Sequence, residues 1–353
     1  MNQHPQTNRQ EVIQAPACRP HLQRTEGRYI PLCYSFKLEK KQIHDCNLYT
    51  NHASQRYKAE YPENTIRAFQ TAVEAGCDVI ETDLHISADD HIIIAHDIDT
   101  SRVFGESYDV TKTNYVGTLD QLLTLREPRS KMPLFRDVLL WCIETNEQHK
   151  DRNIKLMLDI KGDNDPVQLY NLMWELLHDL KGIDFWKNKL IFGLWSPQFY
   201  IPEKLNGFKV INISFDFHNA KAFYEKVVDL HSGATIHGIS MIKFILYREK
   251  DLNDMMDWLH ENNLKLWLWT INNNLELKQA IEKTVKNKEI LLDGIVTDDP
   301  IKVYERFPEN KISWNYNFKL WLQNSLFGIL LFLYRRNFNL KPAFNMLKRL
   351  GLI

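Results

Sequence analysis

Residues 61–97, YPENTIRAFQTAVEAGCDVIETDLHISADDHIIIAHD, decide how the chain is read. Within 64–75 the spacing puts Ile66, Phe69, Ala72 and Val73 on one helical face, and Gly76 closes the segment. Residues 77–85 (CDVIETDLH) and 91–97 (HIIIAHD) read as strands joined by the polar turn SADD. Glu63, Glu81, Asp83 and His96 fall where the chain enters or leaves these elements. Three carboxylates and a histidine beside strand ends are the parts of a divalent-metal site that handles phosphate.

Outward from this stretch the pattern repeats. Helices are expected over 118–126, 133–145, 168–180, 219–230, 252–263 and 274–283, and strands over 154–161, 189–195, 208–214, 237–242, 264–272 and 293–300. Strands apolar on both faces that alternate with helices imply a parallel sheet covered by helices. About eight such strands over ~250 residues favour an α/β chain closed as a (β/α)8 TIM barrel. No GxGxxG follows any strand, so a dinucleotide-binding sheet loses its main support. In such a barrel the site lies at the C-terminal strand ends, where Glu81, Asp83, His96, Asp97, Asp159, Lys161, Trp195, Trp269, Asn272 and Asp298 fall.

Glu81 and Asp83 are two apart on a strand and face the same way. Two like charges on one face of an apolar strand are costly unless a cation sits between them, which favours a metal over surface ion pairs. Asp159 ends another buried strand and supplies a third oxygen, and oxygen-only ligation suits Mg²⁺ or Ca²⁺ rather than Zn²⁺. Lys161 shares the Asp159 face, either to contact a phosphate or to partner the aspartates. His96 follows an apolar run beside Asp97, which fits a general acid or base as well as a core histidine. Trp195, Trp267 and Trp269 line a lipid or glycerol pocket or fill the core; Trp269, with Asn272, is the substrate-binding candidate.

The 353 residues suit one large domain with appendages; 44 % are apolar and 25 % charged, and the net charge of −1 excludes a generic nucleic-acid binder. Residues 1–50 read as a flexible polar arm, 51–308 as the barrel and 309–353 as a separate tail. Five cysteines fit no zinc spacing and their odd number opposes a disulfide framework, which places the chain in a reducing, intracellular compartment. No apolar leader follows MNQHPQTNRQ, and no obligate protein partner is evident. The tail from 310 to 353 holds no Asp or Glu but Lys311, Lys319, Arg335, Arg336, Lys341, Lys348 and Arg349. Its apolar run 320–334 is shorter than the ~20 residues that span a bilayer. A monotopic anchor is expected, with Trp314, Tyr316, Trp321 and Tyr334 at the interface and the basic residues on an anionic membrane surface; a helix packed on the barrel is the alternative.

PENTIRAF, the E-x-D of IETDLH, the HD of IIAHD, LMLDIK, LWLWTIN and DGIVTDDP, in this order over about 60–305, resemble the glycerophosphodiester phosphodiesterase family. The likeness is nearest to its fungal phosphatidylglycerol phospholipase C branch. The resemblance implies metal ligands Glu81, Asp83 and Asp159, with Glu63 at or near the metal. It implies Lys161 on the phosphate and His96 as the acid that protonates the leaving alcohol. It further implies cleavage of phosphatidylglycerol to diacylglycerol and glycerol 3-phosphate, on lipid droplets, endoplasmic reticulum or the outer mitochondrial face. Soluble glycerophosphodiesters or lysolipids are the alternative substrates. One departure stands out. The family's His-Arg pair, eight and seven residues before the proline, is Ser54-Gln55 here, the apolar first strand is replaced by polar DCNLYTNHASQ, and His52 and Arg56 lie out of register. A non-natural N-terminal segment, a catalytically impaired lipid-binding relative, and a rearranged His52/Arg56 loop are three open readings of it.

Overall fold

A computed structural model describes residues 49–51, 61–286, 289–290, 292–300 and 303, and from the tail 322–323, 325–330 and 333. In chain order the elements are β1 (Tyr49–Asn51), α1 (Ile66–Glu74), β2 (Val79–Ile86), β3 (Ile92–Ile94), α2 (Ser101–Phe104), α3 (Phe135–Gln148), β4 (Lys155–Ile160) and α4 (Pro166–Asp179). They continue with α5 (Ile183–Lys187), β5 (Leu190–Leu194), α6 (Pro202–Leu205), β6 (Lys209–Ser214), α7 (Phe217–Leu230), β7 (Gly238–Ile242), α8 (Glu249–Glu261), β8 (Lys265–Trp269) and α9 (Asn274–Lys283). The short antiparallel pair β9 (Val285–Lys286) and β10 (Glu289–Ile290) precedes the last strand, β11 (Leu292–Val296).

The strands form one nine-stranded sheet ordered β1-β11-β8-β7-β6-β5-β4-β2-β3. Strand β1 pairs in parallel with β11 on one side and with β2 on the other, so the sheet closes on itself as the expected TIM barrel. Within this sheet, among the described residues, only β3 runs antiparallel, as the return of a hairpin from β2. The first barrel strand is the polar YTN, and it begins inside the segment read from sequence as the flexible arm. Backbone pairing on both sides substitutes for the missing apolar pattern.

Period-two alternation sorts each strand into two cores. Ile80 and Leu84 of β2 join the large cluster between sheet and helices, with Phe69, Phe135 and Leu169. Val79, Met157, Ile191, Ile211 and Trp267 form a separate cluster that fills the barrel interior. Gly238 makes room for it: a Cβ there would stand 2.7 Å from the Trp267 ring and 2.2 Å from the Lys265 carbonyl oxygen. On β2 and β4 the interior-facing positions next after Val79 and Met157 are Glu81, Asp83 and Asp159, toward the C-terminal end of the barrel.

One expected helix is not helical. Over 118–126 only Leu119–Gln121 makes a turn of 3-10 helix. Leu119 and Leu122 bury in a small cluster with Ile93, Val110 and Met132, while Leu123 pairs with Lys131 in an isolated bridge. The apolar spacing there serves a loop folded over the β3 exit. No helix among the described residues is long and apolar enough to cross a membrane.

Candidate active site

The PENT loop sets the site's first wall. Thr65 caps α1, accepting from the Ala68 amide at 3.2 Å and donating its hydroxyl to the Pro62 carbonyl at 2.8 Å. Asn64 adopts a left-handed backbone, φ 53°, a conformation asparagine tolerates better than most residues. Its amide donates to Asp83 Oδ2 at 2.8 Å and its oxygen accepts from Thr82 Oγ1 at 3.1 Å.

Glu81, Asp83 and Asp159 are all buried and each offers an oxygen within 4.8 Å of the others. Pairing of Asp83 with Asp159 across β2 and β4 produces this approach. Lys161 lies between them, its Nζ 2.6 Å from Asp83 Oδ1 and 2.7 Å from Asp159 Oδ2. Burial works against its charge, but Asp159, Asp83 and Glu81 outweigh burial and hold the ammonium above the ordinary lysine value. One ammonium among three buried carboxylates leaves an excess of negative charge. Hard oxygens at this spacing fit a divalent cation such as Mg²⁺ or Ca²⁺.

Glu63 stands outside that trio. Arg102 of α2 grips it in two hydrogen bonds, Nη1 to Oε2 at 2.7 Å and Nη2 to Oε1 at 2.5 Å. The same guanidinium donates from Nε to Asp97 Oδ2, and Asp97 Oδ1 is 2.6 Å from His96 Nδ1. Both Glu63 oxygens meet Arg102, which ties the PENT loop to the His96–Asp97 pair. Burial would raise Asp97, but the His96 and Arg102 contacts hold its carboxyl well below the usual range. An ionised Asp97 accepts only, so Nδ1 of His96 carries a hydrogen and Nε2 is the atom left for proton exchange.

The exits of β5 to β8 differ in kind. Trp195 follows β5, Phe215 follows β6, Phe244 follows β7 and Trp269 ends β8. The Trp195 and Phe215 rings are 5.0 Å apart, and Trp269 is 6.0 and 5.4 Å from them. Trp195 Nε1 donates to Asp159 Oδ1 at 2.7 Å, joining the aromatic group to the acidic one. Trp269 therefore lies where the sequence placed it. The Asn272 amide is engaged by its neighbours: Nδ2 donates to Asp298 Oδ2, and Oδ1 accepts from Thr297 Oγ1 and the Asp298 amide. It braces the β8 exit against the β11 exit. Ser54, Gln55, His52 and Arg56 lie outside the described residues, as do Trp314, Tyr316, Trp321 and Tyr334 of the expected anchor.

Sequence reading missed Arg102, Asn64 and the bond from Trp195. Arg102 sits on a four-residue helix with no periodicity to mark it, and its one signal is proximity to the HD pair.

The sequence model of the Glycerophosphoryl diester phosphodiesterase family matches residues 57–302. Lysophospholipase D GDPD1 of Mus musculus is 24 % identical over 289 residues, covering 72 % of this chain and 85 % of its own length. The glycerophosphodiester phosphodiesterase of Caldanaerobacter subterraneus subsp. tengcongensis is 23 % identical over 245 residues, covering 68 % of this chain and 89 % of its own. Among solved structures, an Oleispira antarctica phosphodiesterase in complex with the product sn-glycerol-3-phosphate superposes with a TM-score of 0.54 at 17 % identity, over 69 % of this chain and 90 % of that one. That likeness establishes a shared fold.

Proposed function

The chain belongs to the glycerophosphoryl diester phosphodiesterase family, whose members hydrolyse phosphoric diesters, and we propose that it cleaves glycerophospholipids in a metal-dependent, phospholipase C-type reaction. The substrate favoured is phosphatidylglycerol, and the products are diacylglycerol and glycerol 3-phosphate. One observation carries this reading. A buried carboxylate trio with a lysine adjoins, through the Trp195–Asp159 bond, an aromatic wall at the same barrel mouth. A phosphate and a glycerol belong on the first side, and an apolar alcohol on the second.

A divalent cation held by Glu81, Asp83 and Asp159 would neutralise phosphate charge and polarise the phosphorus. Lys161, kept protonated by its neighbours, is placed to meet a phosphate oxygen. The glycerol hydroxyl next to the ester forms the new bond to phosphorus as the bond to the lipid oxygen breaks, and the hydroxyl proton passes to solvent water. His96 Nε2 gives its proton to that leaving oxygen, with Asp97 holding the ring through Nδ1. Water then opens the cyclic phosphate to glycerol 3-phosphate, one water proton returning to His96 Nε2 while the released glycerol oxygen takes a proton from solvent.

The test is turnover of the full chain on phosphatidylglycerol in mixed micelles, with Mg²⁺, with Ca²⁺ and with chelator, and with His96→Ala as control. Diacylglycerol release that needs both a cation and His96 supports the reading. Release of the headgroup alcohol from a lysolipid, with no diacylglycerol from phosphatidylglycerol, would replace it by the lysophospholipase D reaction named for the mouse relative. Vesicle binding with no turnover in any metal would make it an impaired lipid-binding relative.

The basic composition of residues 310–353 supports the further reading that the activity works at an intracellular anionic membrane surface. Changing Arg335 and Arg336 to Glu should lower sedimentation with phosphatidylglycerol-containing vesicles, by about 1 kcal/mol per charge removed at low salt. Unchanged sedimentation would discard the tail as the attachment point.

A further inference from the structure

The phosphodiester chemistry leaves one apolar contact at the barrel mouth unused. Residues 325–330 are helical, and Phe327 is 3 % exposed with its ring centroid 4.8 Å from that of Phe244. Phe327, Phe244 and Ile242 form one buried cluster, against which Phe215 and Trp269 pack. Phe215 and Trp269 both meet Trp195, and Trp195 donates to the carboxylate of Asp159. A continuous series of aromatic contacts therefore runs from the acidic trio to a helix in the C-terminal tail. That helix is apolar on its outer side too, where Ile329 is 58 % exposed. A large exposed apolar side chain opposite a buried apolar contact suits a helix lying at an apolar surface.

We propose that this tail helix is the outer wall of the substrate mouth. It lodges an acyl chain of the lipid substrate against Trp269 and Phe215, while its Ile329 side rests in the membrane from which that chain arrives. The proposal rests on the lipid-cleaving reading above and adds the place of the apolar half of the substrate. Two features of the molecule favour a lipid over a protein partner. The tail from 310 to 353 has seven Lys and Arg and no acidic residue, which complements an anionic lipid surface. The apolar series also ends on a group that touches Asp159, so a chain lying along it delivers its phosphate to the acidic trio.

The experiment uses the full chain and a monomeric probe, so that membrane attachment does not enter. In a His96→Ala background, lysophosphatidylglycerol with a brominated chain is titrated below its critical micelle concentration while tryptophan fluorescence is read. The probe should quench the protein, with affinity rising by up to about fourfold per added methylene over the length of the wall. Phe327→Ala should weaken binding by about tenfold and flatten that chain-length dependence. Phe244→Ala, on the barrel side of the same contact, should do the same, and the double variant should be no worse than either alone. With His96 restored, both variants should lose more kcat/KM on the lipid than on water-soluble glycerophosphocholine.

Binding insensitive to Phe327 and to Phe244 would overturn the wall, and so would an equal loss on the soluble diester. The two readings fail differently. Normal lipid turnover with insensitive binding rejects the wall and keeps the activity. Phe327-dependent binding with no turnover of either substrate rejects the activity and keeps the wall.

Discussion

The two halves of the barrel mouth are built from strands with the same backbone geometry and opposite chemistry. Around β2, β3 and β4 the exits carry Glu81, Asp83, His96, Asp97, Asp159 and Lys161, tied together by Arg102 and Asn64. Around β5 to β8 the exits carry Trp195, Phe215, Phe244 and Trp269, which touch through ring faces and edges. Charge on one half is fixed by geometry, because a buried carboxylate is tolerated only where a cation or donor meets it. Apolar surface on the other half is fixed by area and accommodates a range of shapes. A diester with one polar and one apolar alcohol matches such a division. On the proposed reading, the polar half would carry the chemistry and the aromatic half would select the leaving group.

The largest effect should come from the polar half. His96→Ala removes the group placed to protonate the leaving oxygen and should lower kcat by about 10²–10⁴-fold on lipid and soluble diesters alike. A loss confined to lipid substrates would move His96 into the recognition side of the comparison and undo its assignment as acid.

Arg102→Ala should come next. It leaves Glu63 and Asp97 without the guanidinium that holds both, and so frees the His96 ring through Asp97. Loss of such an orienting partner costs about 10–100-fold in activity. Arg102→Lys should recover little, since one ammonium does not reproduce three directed donors. Recovery of full activity by lysine would show that charge alone, and not orientation, is what Arg102 supplies.

Trp195→Phe tests the seam. It keeps a ring against Phe215 and Trp269 and removes the indole N–H that donates to Asp159. Loss of one hydrogen bond to a buried carboxylate, about 1.5–3 kcal/mol, should appear as weaker cation-induced stabilisation in a thermal melt. An unchanged cation response would separate the two halves.

The polar half was also the more legible in sequence. Two acids on one face of the apolar strand VIETDLH, and one acid closing LMLDIK, violate burial rules unless a site explains them, so Glu81, Asp83 and Asp159 announce themselves. Alternation implied a helix-covered parallel sheet, and the number of strands and the family resemblance pointed to its closure as a barrel. Glu63 was placed at or near the metal by the resemblance of its PENT motif. Only the fold shows that Arg102 reaches it from 39 residues away. The leucines of 118–126 have helical spacing, yet their partners are a loop and a hairpin, which local periodicity does not register. The aromatic half was barely legible, since tryptophans in strands are most often core. Trp267 fills the barrel interior, while Trp195 and Trp269, of the same residue type, line the mouth.

The smallest effect concerns acid stability and again distinguishes the halves. Asp97 is held well below the usual carboxylate range: burial opposes ionisation, and the His96 and Arg102 contacts overcome it. The folded chain therefore binds fewer protons at this site than the unfolded chain, whose aspartates titrate near 3.9. The resulting stabilisation is complete above the unfolded value and is lost as pH falls from there through the folded value. Melting temperature should thus decline on acidification below about pH 4, with a contribution from this group of about 1–2 kcal/mol, or a few degrees. Asp97→Asn should melt lower than the parent at neutral pH and lose less than the parent between about pH 5 and pH 3. Phe244→Ala, on the aromatic half, should lower the melt at every pH without changing that slope, because no proton is exchanged there. If both variants kept the parent's slope, the ion pairs around Arg102 would contribute nothing to stability. Their role would then be confined to aiming His96.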